Sequence, residues 1–539
     1  MFFIFKPFRK GRYLKVLNYL NIVLIIIRTI NTPIFPEYDN FNLISQIMLL
    51  LGIDLGSSSV KASVIDGESG NCLVSAFYPK DEMKIIASKP GWAEQDPDEW
   101  WINLKAAIAE CNNKIGSKKN DIGAIGISYQ MHGLVIIDTD YRVLRPSIIW
   151  CDSRAVEYGQ KAFIALGKGY SLSHLLNSPG NFTAAKLAWV KTNEPELFGR
   201  IYKIMLPGDY IAMRMTGDIV TSFTGFSEGI FWDFKENRVS EKLLEYFGFS
   251  SDILPEVMPS FAVQGRLMKS IAEELGLPAD IPVSYRAGDQ PNNALSLNVL
   301  NPGEVAATAG TSGVIYGVTD QKKFDQHSRV NTFLHVNHTK SNTRLGVLLC
   351  INGTGILYSW LKRNTGNNLS YDEMNDAAEK VTAGSEGLYI LPFGNGSERM
   401  LMNRDYGARI IGLNFNTHTS SHLYRAAQEG IVFSFRYGLD IMKETGIIPA
   451  VIRAGATNMF QSRIFREALS CITGTDIHLY NTDGSIGAAR GAGIGCGYYK
   501  SEKEAFAGLQ AVGVTHPEES KADAYEEAYS VWKNFLMTI

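Results

Sequence analysis

The chain has 539 residues, 45% of them hydrophobic and 20% charged, with a formal net charge of −3. That length exceeds one ordinary core and the composition is that of a soluble globular protein, so two large domains are expected. The balanced charge offers no basic footprint for nucleic acid or an anionic membrane. The six scattered cysteines, with no C-x-x-C pair, argue against zinc and a disulfide framework and for reduced cytoplasmic thiols.

Residues 1–47 differ from the remainder. Lys6, Arg9, Lys10, Arg12 and Lys15 precede an apolar patch, Ile22 to Ile27, that Arg28 closes. This imitates a secretory signal without its cleavage site, and it is too short to span a bilayer. The stretch reads as a leader that is non-native or dispensable, such as an over-extended start, with a membrane anchor as the alternative. Met48 opens the first buried-strand pattern.

From there, Leu49 to Asp54 reads as a strand, Gly56-Ser57-Ser58-Ser59 as a turn, and Val60 to Asp66 as a second strand. The N–H and hydroxyl groups of such a hairpin can surround a phosphate, and Asp54 at the strand end can hold a metal ion through water. No Walker loop is present. Asp96 is placed to cap a helix whose first residue is Pro97, with Trp101, Leu104, Ile108 and Cys111 on its core face. The strand Ile122 to Ser128 leads to Gln130-Met131-His132-Gly133, at the strand end where α/β sheets collect ligands. There His132 is positioned to donate a hydrogen bond to a hydroxyl, although a lone histidine is more often simply a satisfied polar residue. A strand over Val143–Trp150 would end in Asp152 and Arg154, which read equally well as an internal ion pair or as a lining for substrate. Asn181–Phe198 reads as a helix, and Gly217–Trp232 as a turn-rich β excursion.

The stretch Arg286-Ala287-Gly288-Asp289-Gln290-Pro291-Asn292-Asn293 follows a β-rich run and reads as a strand-to-helix turn carrying Asp289. An Asp fixed there is suited to act as a general base for a hydroxyl group. The second half repeats the outline. Gly310-Thr311-Ser312-Gly313 joins two further strands, and Gly455-Ala456-Thr457-Asn458 forms a third glycine loop before a helix, a place for phosphate or adenosine. A helix with Leu423, Ala427, Gly430, Ser434, Tyr437 and Ile441 on one face reads as interdomain core. Gly487, Gly491 and Gly495 predict a helix packed closely on its neighbours. Together the loops point to phosphoryl transfer with Asp289 as the base.

With these pieces in order, the sequence resembles the FGGY family of carbohydrate kinases, most closely its xylulokinase branch. The anchors are Gly52-Ile53-Asp54-Leu55-Gly56-Ser57-Ser58, Glu94-Gln95-Asp96-Pro97, Gln130-Met131-His132-Gly133, Gly288-Asp289-Gln290, Gly310-Thr311-Ser312-Gly313 and Gly455-Ala456-x-Asn458. The resemblance implies an α/β fold of two ribonuclease H-like (actin-like ATPase) domains flanking a central cleft. Residues 48–299 would carry the sugar site and base, and 300–539 the nucleotide site. It implies ATP and Mg²⁺ as cofactors, and phosphorylation of a primary hydroxyl of a ketose, D-xylulose giving D-xylulose 5-phosphate. Asp289 would be the base, with Met131, His132, Gln290 and Asp152 at the sugar. Ser57, Ser58, Gly310, Thr311, Ser312, Gly455, Ala456, Asn458 and Trp360 would meet the nucleotide, and Asp54 would organise Mg²⁺ through water. The partner is a small-molecule sugar, with no nucleic acid and no membrane; a homodimer is left open.

Two departures stand out. The base loop reads Asp-Gln-Pro-Asn-Asn where many xylulokinases have Asp-Asn-Ala-Ala, and Ala454 stands where a third glycine is common. Another ketose, a polyol or gluconate remains an alternative acceptor. An actin-like ATPase is the alternative outside the kinases.

Overall fold

The apolar run Leu49–Leu55 (β1) turns through Gly56–Ser59 into Val60–Asp66 (β2), and Cys72–Tyr78 (β3) pairs antiparallel with β2. The architecture is that of a computed structural model, which describes residues 48–366 and 368–539. The leader expected over 1–47 lies outside them. Asp96 caps Pro97–Ile115 (α1), its carboxylate accepting from Asp98 N at 3.0 Å, with Pro97 at the first helical position. Ile122–Tyr129 (β4) then lies parallel to β1, and Val283–Gly288 (β5) parallel to β4. The first sheet therefore runs β5-β4-β1-β2-β3.

The second sheet repeats this plan. Glu304–Ala309 (β6) forms a hairpin with Gly313–Thr319 (β7). Asn331–Leu334 (β8) and Leu345–Ile351 (β9) continue antiparallel beyond β7. Val451–Gly455 (β10) and Ile477–Tyr480 (β11) add parallel on the other side, and Ala511–Thr515 (β12) closes that edge. Without the two edge strands, β9-β7-β6-β10-β11 is the same order as the first sheet. Two α/β units with one topology match the architecture that the resemblance implies.

Four expectations change. Over 143–150 only Ser147–Ile148 pairs as a strand. The segment 217–232 is less a β excursion than a helix, Phe223–Glu228, between short strands; Ser222 caps it by accepting from Gly225 N. The helix expected from 181 to 198 is Thr183–Asn193 (α2) and a separate turn, Pro195–Phe198, because Pro195 has no N–H with which to continue the ladder. Phe223–Glu228 is labelled α3, and Asp289–Ser296 α4. The long helix Ser420–Glu444 belongs to the second unit alone. Gly430 meets the Ile390 backbone, and Gly438 meets Leu349 and Ile315 of the second sheet.

The predicted glycine-rich helix spans Gly484–Gly495 and follows β11 in sequence, yet it lies on β1, β4 and β5 of the first sheet. Absent side chains allow this approach. A β-carbon on Gly52 would collide with the Ser485 carbonyl, and one on Gly126 with that of Ala488. Ser63 Oγ to Ser485 Oγ at 2.7 Å and Ser284 Oγ to the Ala492 carbonyl at 2.8 Å fix the register. Gly52→Ala is therefore expected to lower unfolding stability by ~1–3 kcal/mol or more, measured by denaturant titration. All six cysteines are free. Among the described residues, no helix is long and apolar enough to cross a membrane.

Candidate active site

Three parallel strands of the first sheet end side by side. Asp54 on β1 pairs in register with Ser128 on β4, and Ser128 with Ala287 on β5. One to three residues beyond the strand ends, the chain places Met131 and His132 after β4 and Asp289 after β5. Asp289 is the first residue of α4 and Gly288 occupies the cap position.

Asp289 is only half-exposed, and its carboxyl is pushed up to about 7. Burial is the largest cause and the Asp54 charge the next, while hydrogen bonds from Gln290 oppose them. Asp54 is raised as well, by burial first and by Asp483 next, against a bond from Ser128. Gly484 lets the Asp54 carboxylate approach the start of the glycine-rich helix, where a β-carbon would strike Oδ2. Two mutually destabilising carboxylates fit a cation between them. Among the described residues no three acidic, His or Cys side chains converge into a ready-made cage. That arrangement suits Mg²⁺ held by phosphate oxygens, waters and few protein ligands. Asp483 is paired instead with Lys61 at 2.6 Å and caps the helix through Ser485 N and Ile486 N.

Met131 is buried beside Gly288. His132 lies edge-on to Phe182 at 4.8 Å and tilted against Phe333 of the second sheet at 5.4 Å, so this strand end meets the other half of the protein. Burial, with Lys186 and Arg399 nearby, lowers its ring to about 3. Its Nδ1 lies 3.0 Å from the Glu228 carbonyl oxygen. A carbonyl only accepts, so Nδ1 carries the single proton of the neutral ring and Nε2 is an acceptor. The expected donation from His132 to a sugar hydroxyl is thus reversed at Nε2.

Asp152 is 0% exposed and its oxygens are taken. Oδ2 accepts from Ala93 N at 2.6 Å, and both oxygens bond Arg154, whose guanidinium lies 3.7 Å over Trp92. Of the two readings the sequence left open, the internal ion pair is the one formed. Asp152 braces the wall and has no oxygen left for a substrate.

Sequence reading missed Lys186, Glu228, Glu398 and Arg399. Lys186 Nζ donates to the His132 carbonyl at 2.8 Å. Glu398, raised to about 7 by burial, accepts from Asn352 N at 2.9 Å and Gly353 N at 3.1 Å, fixing the turn after β9. Arg399 bonds the Ser328 carbonyl at 2.9 Å and lies over Phe182. A charged pair inside the Gly-rich Gly394–Arg399 turn was the available signal for the last two.

On the second sheet, β6 and β10 are adjacent, which brings the Gly310 and Gly455 loops together. Between them opens a cavity of about 730 Å³, lined in part by Gly310, Thr311, Thr457, Asn458, Tyr358 and Arg363. This lies within the ~300–1,000 Å³ range of small-molecule sites. The helix Gly355–Thr365 closes one wall, with Gly355 N donating to the Gly310 carbonyl at 2.8 Å. Ser312, Gly455 and Ala456 adjoin this wall but are not among its lining residues. Trp360 is also outside the lining and 47% exposed; Tyr358 and Tyr371, stacked at 5.8 Å, supply the aromatic surface. In the first hairpin the Ser57 carbonyl accepts from Gln95 Nε2 and the Ser58 carbonyl from Met83 N, and Ser58 is exposed.

The model of the FGGY family of carbohydrate kinases matches this chain in both parts, its N-terminal domain over residues 49–296 and its C-terminal domain over 305–496. The chain belongs to the FGGY carbohydrate kinases. It is therefore a carbohydrate kinase of an ATP-using family, with the actin-like ATPase fold. It is similar to a xylulose kinase of Bacillus subtilis, 30% identical over 90% of this chain and 96% of the relative. A solved xylulose kinase from Rhodospirillum rubrum superposes with TM-score 0.82 at 25% identity, covering 91% of this chain and 98% of that one. A gluconate kinase from Lactobacillus acidophilus superposes with the same TM-score at 24% identity, over 91% and 97%. The fold thus leaves the acceptor undecided, and the choice falls to the residues at the strand ends.

Proposed function

We propose that this protein transfers the γ-phosphoryl group of ATP to the primary hydroxyl of a ketose, converting D-xylulose to D-xylulose 5-phosphate. Residues 48–299 would carry the acceptor and 300–539 the nucleotide. The observation that carries the reading is the row of strand ends that sets Asp54, Met131–His132 and Asp289 side by side. The relatives named xylulose kinases, similar over most of the chain, support the choice of sugar.

Asp289 is the catalytic base. It takes the proton of the primary hydroxyl as that oxygen bonds to the γ-phosphorus and the bond to the bridging oxygen of ADP breaks. A base is most effective when its pKa lies near the working pH, and Asp289 is raised to about 7. Met131 forms an apolar wall, and His132 and Gln290 hold hydroxyl groups. Gly310 and Thr311 face the phosphates, with Ser57 and Ser58 at the opposite hairpin, and Asn458 lies on the adenosine side. Asp54 is the residue that would hold Mg²⁺, which when bound would supply charge neutralisation for the phosphates. Burial of the acceptor against Phe182 and Phe333 keeps water from competing for the phosphoryl group.

The product tests this reading. Phosphorus–carbon coupling in the NMR spectrum of the reaction with D-xylulose should place the phosphate on C5; phosphate on any other carbon, or free phosphate alone, contradicts it. The pH profile tests the base. Asp289 works ionised, so kcat/KM for the acceptor should fall about tenfold per pH unit below about pH 7. Asp54→Asn removes a like charge, so the acid limb should move to lower pH whatever activity remains. Initial rates across the neutral range check both.

A further inference from the structure

His132 has φ +62°, a left-handed backbone that few non-glycine residues adopt. Three bonds from two buried residues surround it, two from side chains and one from a backbone carbonyl. Glu228 Oε1 accepts from His132 N in a long bond of 3.4 Å, and the Glu228 carbonyl accepts from Nδ1 at 3.0 Å. Lys186 Nζ donates to the His132 carbonyl at 2.8 Å. Glu228 and Lys186 are 1% and 0% exposed. They come from different helices, α3 and α2, and both bond this residue.

Glu228 also touches the turn that carries the base. Its Oε2 reaches the backbone of Gly288 because that residue has no side chain; a β-carbon there would strike it. The Tyr129 hydroxyl lies beside this carboxyl, and both are buried. A buried carboxyl is costly unless something is gained by keeping it. Here one side chain spans the two segments that face the acceptor.

We propose that Glu228 is a positioning residue of the acceptor site. Its side chain and Lys186 clamp His132 in its left-handed backbone, and its backbone carbonyl fixes the Nδ1–H tautomer, so that Nε2 requires a donating sugar hydroxyl. The proposal rests on the acceptor-site reading above and adds the polarity of the contact. A hydroxyl satisfies Nε2, whereas a ketone oxygen or a carboxylate meets it lone pair to lone pair. The clamp thus sets the end and face of the sugar that His132 tolerates. Burial first, then the Asp289 and Asp209 charges, raise the Glu228 carboxyl well above the usual carboxylate range against the bond from His132 N, which favours its neutral form. A neutral amide can therefore stand in for it.

The full-length protein, labelled with ¹⁵N in histidine only, tests this directly, with the His132 signals assigned by their loss in His132→Asn. At neutral pH the wild-type ring should show a protonated Nδ1 and an unprotonated Nε2, with no sugar present. Glu228→Ala keeps the carbonyl that bonds Nδ1 and loses the side-chain bond to His132 N, so the ring should stay Nδ1–H while KM for the ketose rises by ~10-fold or more and KM for ATP stays within about twofold. Glu228→Gln should recover most of that loss. An Nε2–H or doubly protonated ring in the wild type overturns the proposal. So does a Glu228→Ala protein whose ketose KM is unchanged or rises only in step with that for ATP. If Glu228→Ala does not fold, Glu228→Gln decides, because its amide oxygen can still accept from His132 N: a ketose KM within about threefold of wild type supports the clamp, and a rise of ~10-fold or more refutes it. Failure of the wild type to phosphorylate any ketose refutes the functional reading instead, and the ring spectrum still judges the clamp.

Discussion

Asp289→Asn should lower kcat by at least ~10², with KM for ATP nearly unchanged. The substitution keeps the size of the side chain and its place at the start of α4 while removing the proton acceptor. The cap at Gly288 does not depend on it, so folding should be spared. The nucleotide cavity is lined by the second-sheet loops, so ATP should still bind. Single-turnover rates and a direct ATP-binding titration separate the two effects. A kcat within a few-fold of wild type would mean that the proton leaves by another route and that Asp289 serves only the helix.

His132→Ala should raise KM for the ketose by at least ~10-fold, well beyond any change in KM for ATP, because it leaves a buried sugar hydroxyl without its acceptor. His132→Asn, which tolerates a left-handed backbone, separates the lost ring from lost backbone geometry. Met131→Leu, a volume-conserving change in an apolar wall, should cost far less. Were His132→Ala to raise only the KM for ATP, this strand end would belong to the nucleotide side, and the argument for a ketose would fail with it.

Much of this was legible in the chain because strand-turn-strand signals are local. The Gly56–Ser59 and Gly310–Ser312 turns each separate two apolar runs, and both hairpins formed where alternation and turn chemistry put them. Asp289 was legible for the same reason, as a carboxylate just beyond a strand end. What sequence could not supply was convergence. Glu228 sits in a Phe/Ser/Gly/Thr run that reads as turns; its meaning comes from meeting His132 and Gly288, which lie 96 and 60 positions away. Asp152 was ambiguous until its full burial and its bonds to Ala93 N and to Arg154, which stacks on Trp92, were seen. Trp360 failed on helical geometry, since two residues along a helix point to nearly opposite sides, and Tyr358 took the cavity face. The glycine-rich helix was recognised as closely packed, but the sheet it covers is set by topology, not by its position after β11.

The central claim is that ATP is spent on a ketose hydroxyl in a site built around Asp289 and His132. The most direct test is coupled ADP release by the purified protein against a panel of D-xylulose, other ketoses, glycerol, gluconate and no acceptor. The account predicts negligible ADP without an acceptor and the highest kcat/KM for D-xylulose. ADP release that does not depend on any sugar would make this an actin-like ATPase, and a preference for glycerol or gluconate would contradict the reading of the Met131–His132 wall.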